Sequence, residues 1–232
     1  MKRAEIITGL RQEFPELFVS EDYTWQKLTT LGIGGNAPVL VEPGNDIELR
    51  LLLQWCSLHE VPWLPLGNGS NLVGSDEPYD GIVIRLRRGS FVNISCGRTH
   101  FTVGAGVKLR ALIRYAAEHG WGGMSRLAGI PGTIGGALRM NAGALGLSIS
   151  DKTLELFGFD RGGNPWSVSS DCVNWCYHGS DLPDDVIITG AILALDRSDE
   201  EMEDWLVNEE LARRSGVEPH CRNAGCIFRN PS

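Results

Sequence analysis

The sequence predicts an α+β protein built from two lobes. Three observations support this fold class. Strand and helix patterns alternate up to about residue 88, short strands separated by turns dominate from 89 to 197, and glycine-rich segments stand between them. The 232 residues are 42% hydrophobic and 22% charged, which is ordinary for a globular protein and enough for one large domain or two small ones.

Charge and composition exclude several classes of function. The net charge is -8, with 21 Lys and Arg against 29 Asp and Glu, so no basic field exists to bind nucleic acid or an anionic membrane. A small anionic ligand is still compatible with this balance. Glu5, Thr8 and Arg11 interrupt the apolar core that a signal peptide needs, and we expect a cytoplasmic protein with six reduced cysteines.

The N-terminal third predicts a short helix over 1–19 and then a first lobe over 20–88. In that lobe an apolar run at 39–41 predicts a strand, and the stripe within 45–59 predicts a helix that Asn45 or Asp46 caps. A second strand is predicted over 63–66.

The second lobe, 89–197, predicts a mainly antiparallel sheet. A helix is predicted over 107–119, where an apolar stripe ends at Gly120. Short runs near the lobe boundary and four later segments predict the strands: 82–86, 91–95, 100–104, 154–159, 166–168, 172–177 and 186–195. Ser198 begins a further helix with a capping-box sequence, and 198–232 is expected to start another domain.

Two glycine-rich segments predict the ligand site. The first, 67–71, reads GNGSN and follows a predicted strand, where ligands bind in α/β units. The second, 129–146, reads GIPGTIGGALRMNAGALG, a glycine density that predicts neither helix nor strand. Loops without Cβ atoms expose backbone N–H groups that bind phosphate, although a purely structural loop is the alternative. Neither GxGxxG nor a P-loop sequence occurs.

The motifs TLGIGG, LGNGSNLV, GAGVKL, AGIPGTIGGALRMNAGALG, YHGS and AGCIFRNP occur in order between about Thr29 and Pro231. Together they resemble the UDP-N-acetylenolpyruvoylglucosamine reductase family. The resemblance implies a two-lobed FAD-binding fold of the vanillyl-alcohol-oxidase (PCMH) type, followed by the beginning of a substrate-binding domain. It also implies that NADPH reduces the flavin, which then reduces a UDP-sugar enolpyruvyl ether to UDP-N-acetylmuramate for peptidoglycan.

The resemblance also implies roles for individual residues. Catalysis is expected from His178 and Cys226, and substrate binding from Tyr177, Ser180, Arg229 and Asn230. The residues expected to bind FAD lie in the two glycine-rich segments: Gly67, Asn68, Gly69, Ser70, Asn71, Gly129, Ile130, Pro131, Gly132, Thr133, Gly135, Gly136, Ala137, Asn141, Ala142 and Gly143.

The chain departs from the family pattern at three points. His178 stands where the family has an arginine, and histidine cannot form a planar bidentate clamp on a carboxylate. Arg126 and Arg139 could substitute, but we expect both to be solvated surface charges. Cys226 replaces a serine, and a thiol is acidic enough to deliver a proton. The family's later glutamate lies beyond FRNP, so the substrate-binding domain is expected to be incomplete here.

Two alternatives are open at this stage. One is an FAD-binding protein without reductase turnover. The other is a zinc site, which we consider a weak hypothesis because CxxxC is not the spacing of a zinc knuckle. Core packing of Cys172 and Cys176 along one strand face explains that pair better, and no metal is expected. The residues of the zinc hypothesis are Cys172, Cys176, His178, His220, Cys221 and Cys226.

Overall fold

The structure is a computed structural model, which describes residues 1–36, 39–77, 79–217 and 221–222. The helices are α1 (Arg3–Glu13), α2 (Trp25–Leu28), α3 (Asp46–Leu58), α4 (Leu109–Ala117), α5 (Ile134–Arg139) and α6 (Glu200–Val217). Among these described residues no helix is both long and apolar enough to cross a membrane.

Within the described residues, the strands form two main sheets and three short pairs. They are β1 (Phe18–Ser20), β2 (Val39–Glu42), β3 (Trp63–Pro65), β4 (Ile82–Ile84), β5 (Ile94–Cys96), β6 (Phe101–Gly104), β7 (Trp121–Gly122), β8 (Gly143–Ala144), β9 (Leu147–Ser148), β10 (Thr153–Phe159), β11 (Pro165–Ser169), β12 (Trp175–Cys176), β13 (Gly179–Ser180), β14 (Ile187–Leu193) and β15 (Asp196–Arg197).

The first sheet has the order β1-β2-β4-β3, with β2, β4 and β3 parallel and β1 antiparallel at the edge. The central strands are buried on both faces, as parallel strands usually are. The predicted helix α3 is confirmed together with its cap, because the Asn45 side chain accepts a hydrogen bond from the Glu48 N–H at 2.9 Å. The N-terminal helix predicted over 1–19 is confirmed only in part, because α1 ends at Glu13 and Phe18–Ser20 forms the strand β1.

The second sheet is antiparallel, in the order β11-β10-β14-β6-β5. The helix α4 ends as predicted before Gly120, which has a φ of 71°. The expected strand over 91–95 is only partly correct, because Gly89–Val92 forms a 3₁₀ turn and the strand begins at Ile94.

One hydrophobic core cluster runs through both sheets. Val41 and Ile84 from the first sheet belong to the same buried cluster as Leu156 and Leu193 from the second. The opposite face of the first sheet packs against α2 in a smaller cluster. Because the hydrophobic core is continuous between the two sheets, it does not mark where one lobe ends and the next begins. The lobe boundary near residue 88 therefore stays a prediction.

The helix α6 follows the second sheet and packs against α4 and the 3₁₀ turn Ser125–Leu127. The predicted capping box at Ser198 is wrong. Asp199 is the residue whose carboxylate accepts from the N–H of Met202, while the Ser198 hydroxyl donates to the buried Glu203 carboxylate at 2.9 Å. The helix also continues beyond Gly216, to Val217.

Candidate functional site

The first glycine turn, residues 67–71, follows β3 after one residue, Leu66, at the carboxyl end of the parallel strands. Gly69 lies buried within it, has a φ of 66°, and its carbonyl accepts a hydrogen bond from Thr30 N–H at 3.0 Å. A Cβ at this position would overlap the carbonyl oxygen of Leu28. Only glycine satisfies both the positive φ and this close approach.

The backbone N–H groups of this turn are unpaired. Within the described ranges, no protein atom accepts a hydrogen bond from the N–H of residues 67–71. Gly67, Gly69 and Ser70 are buried or half-buried, where backbone donors normally have an acceptor, so their N–H groups are suited to bind one from a ligand. A phosphate group, which offers several acceptor oxygens, fits such an array.

The second glycine segment contains a short helix, which the sequence did not predict. The prediction that 129–146 forms neither helix nor strand is wrong, because α5 occupies Ile134–Arg139 and β8 follows it. Thr133 caps the helix by accepting from Gly136 N–H at 3.4 Å. Gly135 lies against Ala105, where a Cβ would come within 2.9 Å of the Ala105 Cβ, so glycine here permits close packing.

The two glycine segments meet at one surface. The Ser70 hydroxyl donates to the Pro131 carbonyl at 3.0 Å, and a Cβ on Gly67 would lie 2.6 Å from the Thr133 hydroxyl oxygen. Gly132, whose φ is 145°, and Thr133 add two further N–H groups that find no acceptor among the described residues. Unpaired donors from two distant parts of the chain therefore lie close to each other.

Asn141 connects the end of this segment to a later hairpin. Its side-chain Nδ2 donates to the Cys176 carbonyl at 3.0 Å, and its Oδ1 accepts from Ser150 N–H at 3.4 Å. Both ends of the amide are thus engaged within the protein. The Asn141 backbone N–H is engaged as well, because it donates to the Leu138 carbonyl at 3.1 Å.

The hairpin, residues 175–180, consists of β12 and β13 with Tyr177 and His178 at its tip. His178 has a φ of 57°, and its ring contacts the Tyr177 ring edge-on at a centroid distance of 4.1 Å. Both side chains are exposed, Tyr177 to 51%. The Ser180 hydroxyl oxygen, by contrast, is buried and has no hydrogen-bond partner among the described residues.

A carboxylate closes the base of this hairpin. Asp181 accepts from the Asn174 backbone N–H at 2.9 Å and from its side-chain amide at 2.5 Å. The side-chain hydrogen bond, followed by the backbone one, holds the pKa of Asp181 below its usual value.

The interpretation of Arg139 as a solvated surface charge is wrong. Its guanidinium is half-buried and donates to the carbonyls of Leu182, Pro183 and Val186 at 2.8, 2.8 and 3.0 Å. Burial lowers the pKa of Arg139, and the nearby Asp184 and Asp185 carboxylates oppose that effect. The sequence carries no signal for this role, because the three acceptors are backbone carbonyls.

The proposed core packing of Cys172 and Cys176 is also wrong. Both cysteines are exposed, since Ser170–Cys172 forms a 3₁₀ turn and Cys176 lies in the short hairpin rather than in one long strand over 172–177. No cluster of His, Cys, Asp or Glu suited to a metal ion occurs in the part of the chain that the structure describes.

Most of the expected site residues thus lie along one connected set of loops. Hydrogen bonds join the turn at 67–71 to Pro131, and Asn141 to the hairpin that carries Tyr177, His178 and Ser180. The remaining expected residues, Cys226, Arg229 and Asn230, lie outside the described residues.

Comparison with known proteins finds an FAD-binding family and several relatives. Residues 37–157 match a family model described as an FAD binding domain. A UDP-N-acetylenolpyruvoylglucosamine reductase from Pelobacter propionicus is 34% identical over 212 residues, which cover 91% of this chain and 71% of the relative. The corresponding protein of a Synechococcus species is 37% identical, and the match covers 88% of this chain and 66% of the relative.

Solved structures give the same result. UDP-N-acetylenolpyruvylglucosamine reductase (MurB) from Thermus caldophilus superposes with a TM-score of 0.80 at 33% identity, covering 93% of this chain and 76% of that chain. An alkyldihydroxyacetonephosphate synthase has a TM-score of 0.62 at 17% identity, covering 84% of this chain and 40% of that chain. This second similarity shows only a shared fold, the two-lobed FAD-binding fold of the vanillyl-alcohol-oxidase type.

Proposed function

Because the chain belongs to the UDP-N-acetylenolpyruvoylglucosamine reductase family, we propose that it reduces the enolpyruvyl ether of UDP-N-acetylglucosamine to UDP-N-acetylmuramate, with NADPH as reductant. FAD is the cofactor of this oxidoreductase family member. The reaction would serve peptidoglycan synthesis in the cytoplasm, and through it cell shape and division. The match to the two relatives described above spans 66–71% of their length.

The observation that carries the proposal is the pair of glycine segments with unpaired N–H groups. Donors at 67–71, Gly132 and Thr133 suit the diphosphate of FAD, because each phosphate offers several acceptor oxygens. We assign binding of the FAD diphosphate to residues 67–71, and the contacts that complete the FAD site to the segment from Gly129 to Gly143. The chemistry that FAD would supply here is hydride transfer from a nicotinamide to an electron-poor carbon.

The remaining residues would act on the substrate. Hydride addition leaves negative charge near the substrate carboxylate, which requires a nearby cation and a proton donor. We propose that His178 takes the place of the family's arginine beside the carboxylate and that Cys226, outside the described residues, is the proton donor. Tyr177 and the unpaired Ser180 hydroxyl would contact the substrate, and Arg229 and Asn230, also outside the described residues, its polar groups.

The visible absorption spectrum of the purified chain tests this function. We expect flavin bands after excess FAD is added and the unbound fraction removed, bleaching by NADPH, and return of the bands when the enolpyruvyl substrate is added. A colourless protein that does not retain FAD would refute the cofactor site. Bands that bleach but do not return with substrate would refute the reductase reaction.

A second candidate is FAD binding without turnover. It is favoured by one observation, namely that the hairpin tip presents His178 while the guanidinium of Arg139 is committed to three carbonyls. Arg126 is exposed and donates one hydrogen bond to the Leu145 carbonyl at 3.1 Å, so it is the arginine near the loop that could still move. Flavin bands that NADPH does not bleach would support this candidate.

A further inference from the structure

Arg139 lies at the C-terminal end of α5, inside the second glycine segment, yet all three of its hydrogen bonds reach residues 43 to 47 positions later. Those acceptors, the carbonyls of Leu182, Pro183 and Val186, belong to the stretch that leaves the hairpin at 175–180. We propose that Arg139 is a positioning residue, which fixes the Tyr177–His178 hairpin relative to the glycine loops. The functional meaning of this placement rests on the proposed function.

The connection between the two segments depends mainly on this side chain. Of the side-chain hydrogen bonds between described residues, four join 129–143 to 172–186, and Arg139 donates three of them. The fourth comes from Asn141, two residues further along. The Asn174–Asp181 contact closes the hairpin on itself and does not reach the glycine segment.

An arginine suits this position for a geometric reason. A guanidinium carries five N–H donors in a rigid plane, so it binds several carbonyl oxygens at once without losing its charge. Lysine offers a compact ammonium on a flexible stem, which cannot span the same three acceptors. Asp184 and Asp185 favour the charged form, although burial opposes it.

The consequence is that the cofactor loops and the hairpin form one unit. The turn at 67–71 is tied to Pro131, the same segment continues through α5 to Arg139, and Arg139 holds the hairpin exit. A substrate lying between a flavin and His178 would then meet two groups whose separation the protein has already set. Such preorganisation removes an ordering cost from the reaction step.

Amide hydrogen exchange on the full chain, with and without FAD, tests the proposal. We expect Arg139→Ala to accelerate exchange in 175–186 by at least about tenfold, since hydrogen bonds to a charged group are lost. Exchange in β10 and β14 should not change. Arg126→Ala, which removes an arginine beside the same loop but no bond to the hairpin, is the matched control.

Two further readouts separate positioning from general stabilisation. The NMR signal of the His178 ring, which contacts Tyr177, should shift in Arg139→Ala and return when ethylguanidinium is added. Arg139→Lys should restore the signal only partly.

The proposal is overturned if exchange in 175–186 and the His178 signal match the parent protein. It is equally overturned if β10 and β14 accelerate by the same factor, since Arg139 would then only stabilise the fold. A parent protein that does not bind FAD would refute the proposed function, whereas the comparison without FAD would still decide the role of Arg139.

Discussion

Gly69 and Gly146 illustrate two different reasons why a position in this chain is occupied by glycine. Their φ values are similar, 66° and 75°, but a Cβ on Gly69 would overlap the Leu28 carbonyl, whereas a Cβ on Gly146 would have no heavy atom within 4 Å. Gly146→Ala should therefore cost only the backbone term, about 1 kcal/mol of unfolding free energy. Gly69→Ala should cost more and abolish FAD binding.

Urea unfolding and FAD titration of both variants check this expectation. Equal losses of stability, with FAD binding retained in Gly69→Ala, would show that the close approach to Leu28 is unimportant.

The different environments of Cys56 and Cys96 predict that their thiols differ in reactivity. Burial raises the pKa of the Cys56 thiol from 9.0 to about 12, while Cys96 is exposed. The thiolate fraction of Cys56 should therefore be lower than that of an ordinary thiol by about a thousandfold, and the thiolate is the reactive form. Iodoacetamide labelling followed by mass spectrometry should modify Cys96 and spare Cys56 until the protein is unfolded. Modification of both at similar rates in the native protein would contradict this.

At the scale of elements, the hairpin at 175–180 should respond to acid. The pKa of Asp181 is depressed in the folded state by its hydrogen bonds from Asn174. Its stabilising contribution is present above the unfolded pKa of about 3.9 and is lost as pH falls through the folded pKa. Amide exchange in the hairpin, normalised for intrinsic pH effects, should accelerate on acidification below about pH 4.

Asp181→Asn should give the faster exchange already at neutral pH and remove the acid transition. Asp171→Asn is the control, since the Asp171 carboxylate accepts no hydrogen bond from the described residues. A transition that persists in Asp181→Asn would assign the acid response to another group.

The sequence predicted those elements whose signals are local. The apolar stripe and Asn45 cap of α3 lie within one segment, as does the glycine stop of α4. The helix α5 was not predicted, because it depends on contacts with residues that are distant in the sequence, such as the packing of Ala105 against Gly135. Strands of two residues, such as β12 and β13, are too short for a period of two to be recognised.

The candidate site divides in the same way. The density of glycine predicted both ligand loops, because a positive φ and a close backbone approach both favour glycine at a position. The hydrogen bonds of Arg139 left no such mark, because their acceptors are backbone carbonyls, which every residue has.

At the scale of the whole molecule, FAD should stabilise the fold through its diphosphate. A ligand at 100 times its Kd adds about 2.7 kcal/mol, which for a chain of this size raises Tm by roughly 5–10 °C. Riboflavin, which lacks the diphosphate, is the matched ligand. It should produce a smaller shift, because it leaves the N–H groups of 67–71 unpaired.

Thermal unfolding followed by tryptophan fluorescence measures both shifts. If riboflavin at the same free concentration as FAD raises Tm by as much as FAD does, the glycine segments are not the diphosphate site.

The continuous core has a consequence for protein synthesis. All strands of the first sheet lie within residues 18–84, while the second sheet is complete only at Leu193, 109 residues after Ile84. Val41 and Ile84 pack in the same cluster as Leu156 and Leu193, so part of their apolar surface has no partner while the intervening chain is made. At translation rates of about 5–20 residues per second, this interval lasts roughly 5–20 s. During that time this apolar surface makes the nascent chain prone to aggregation.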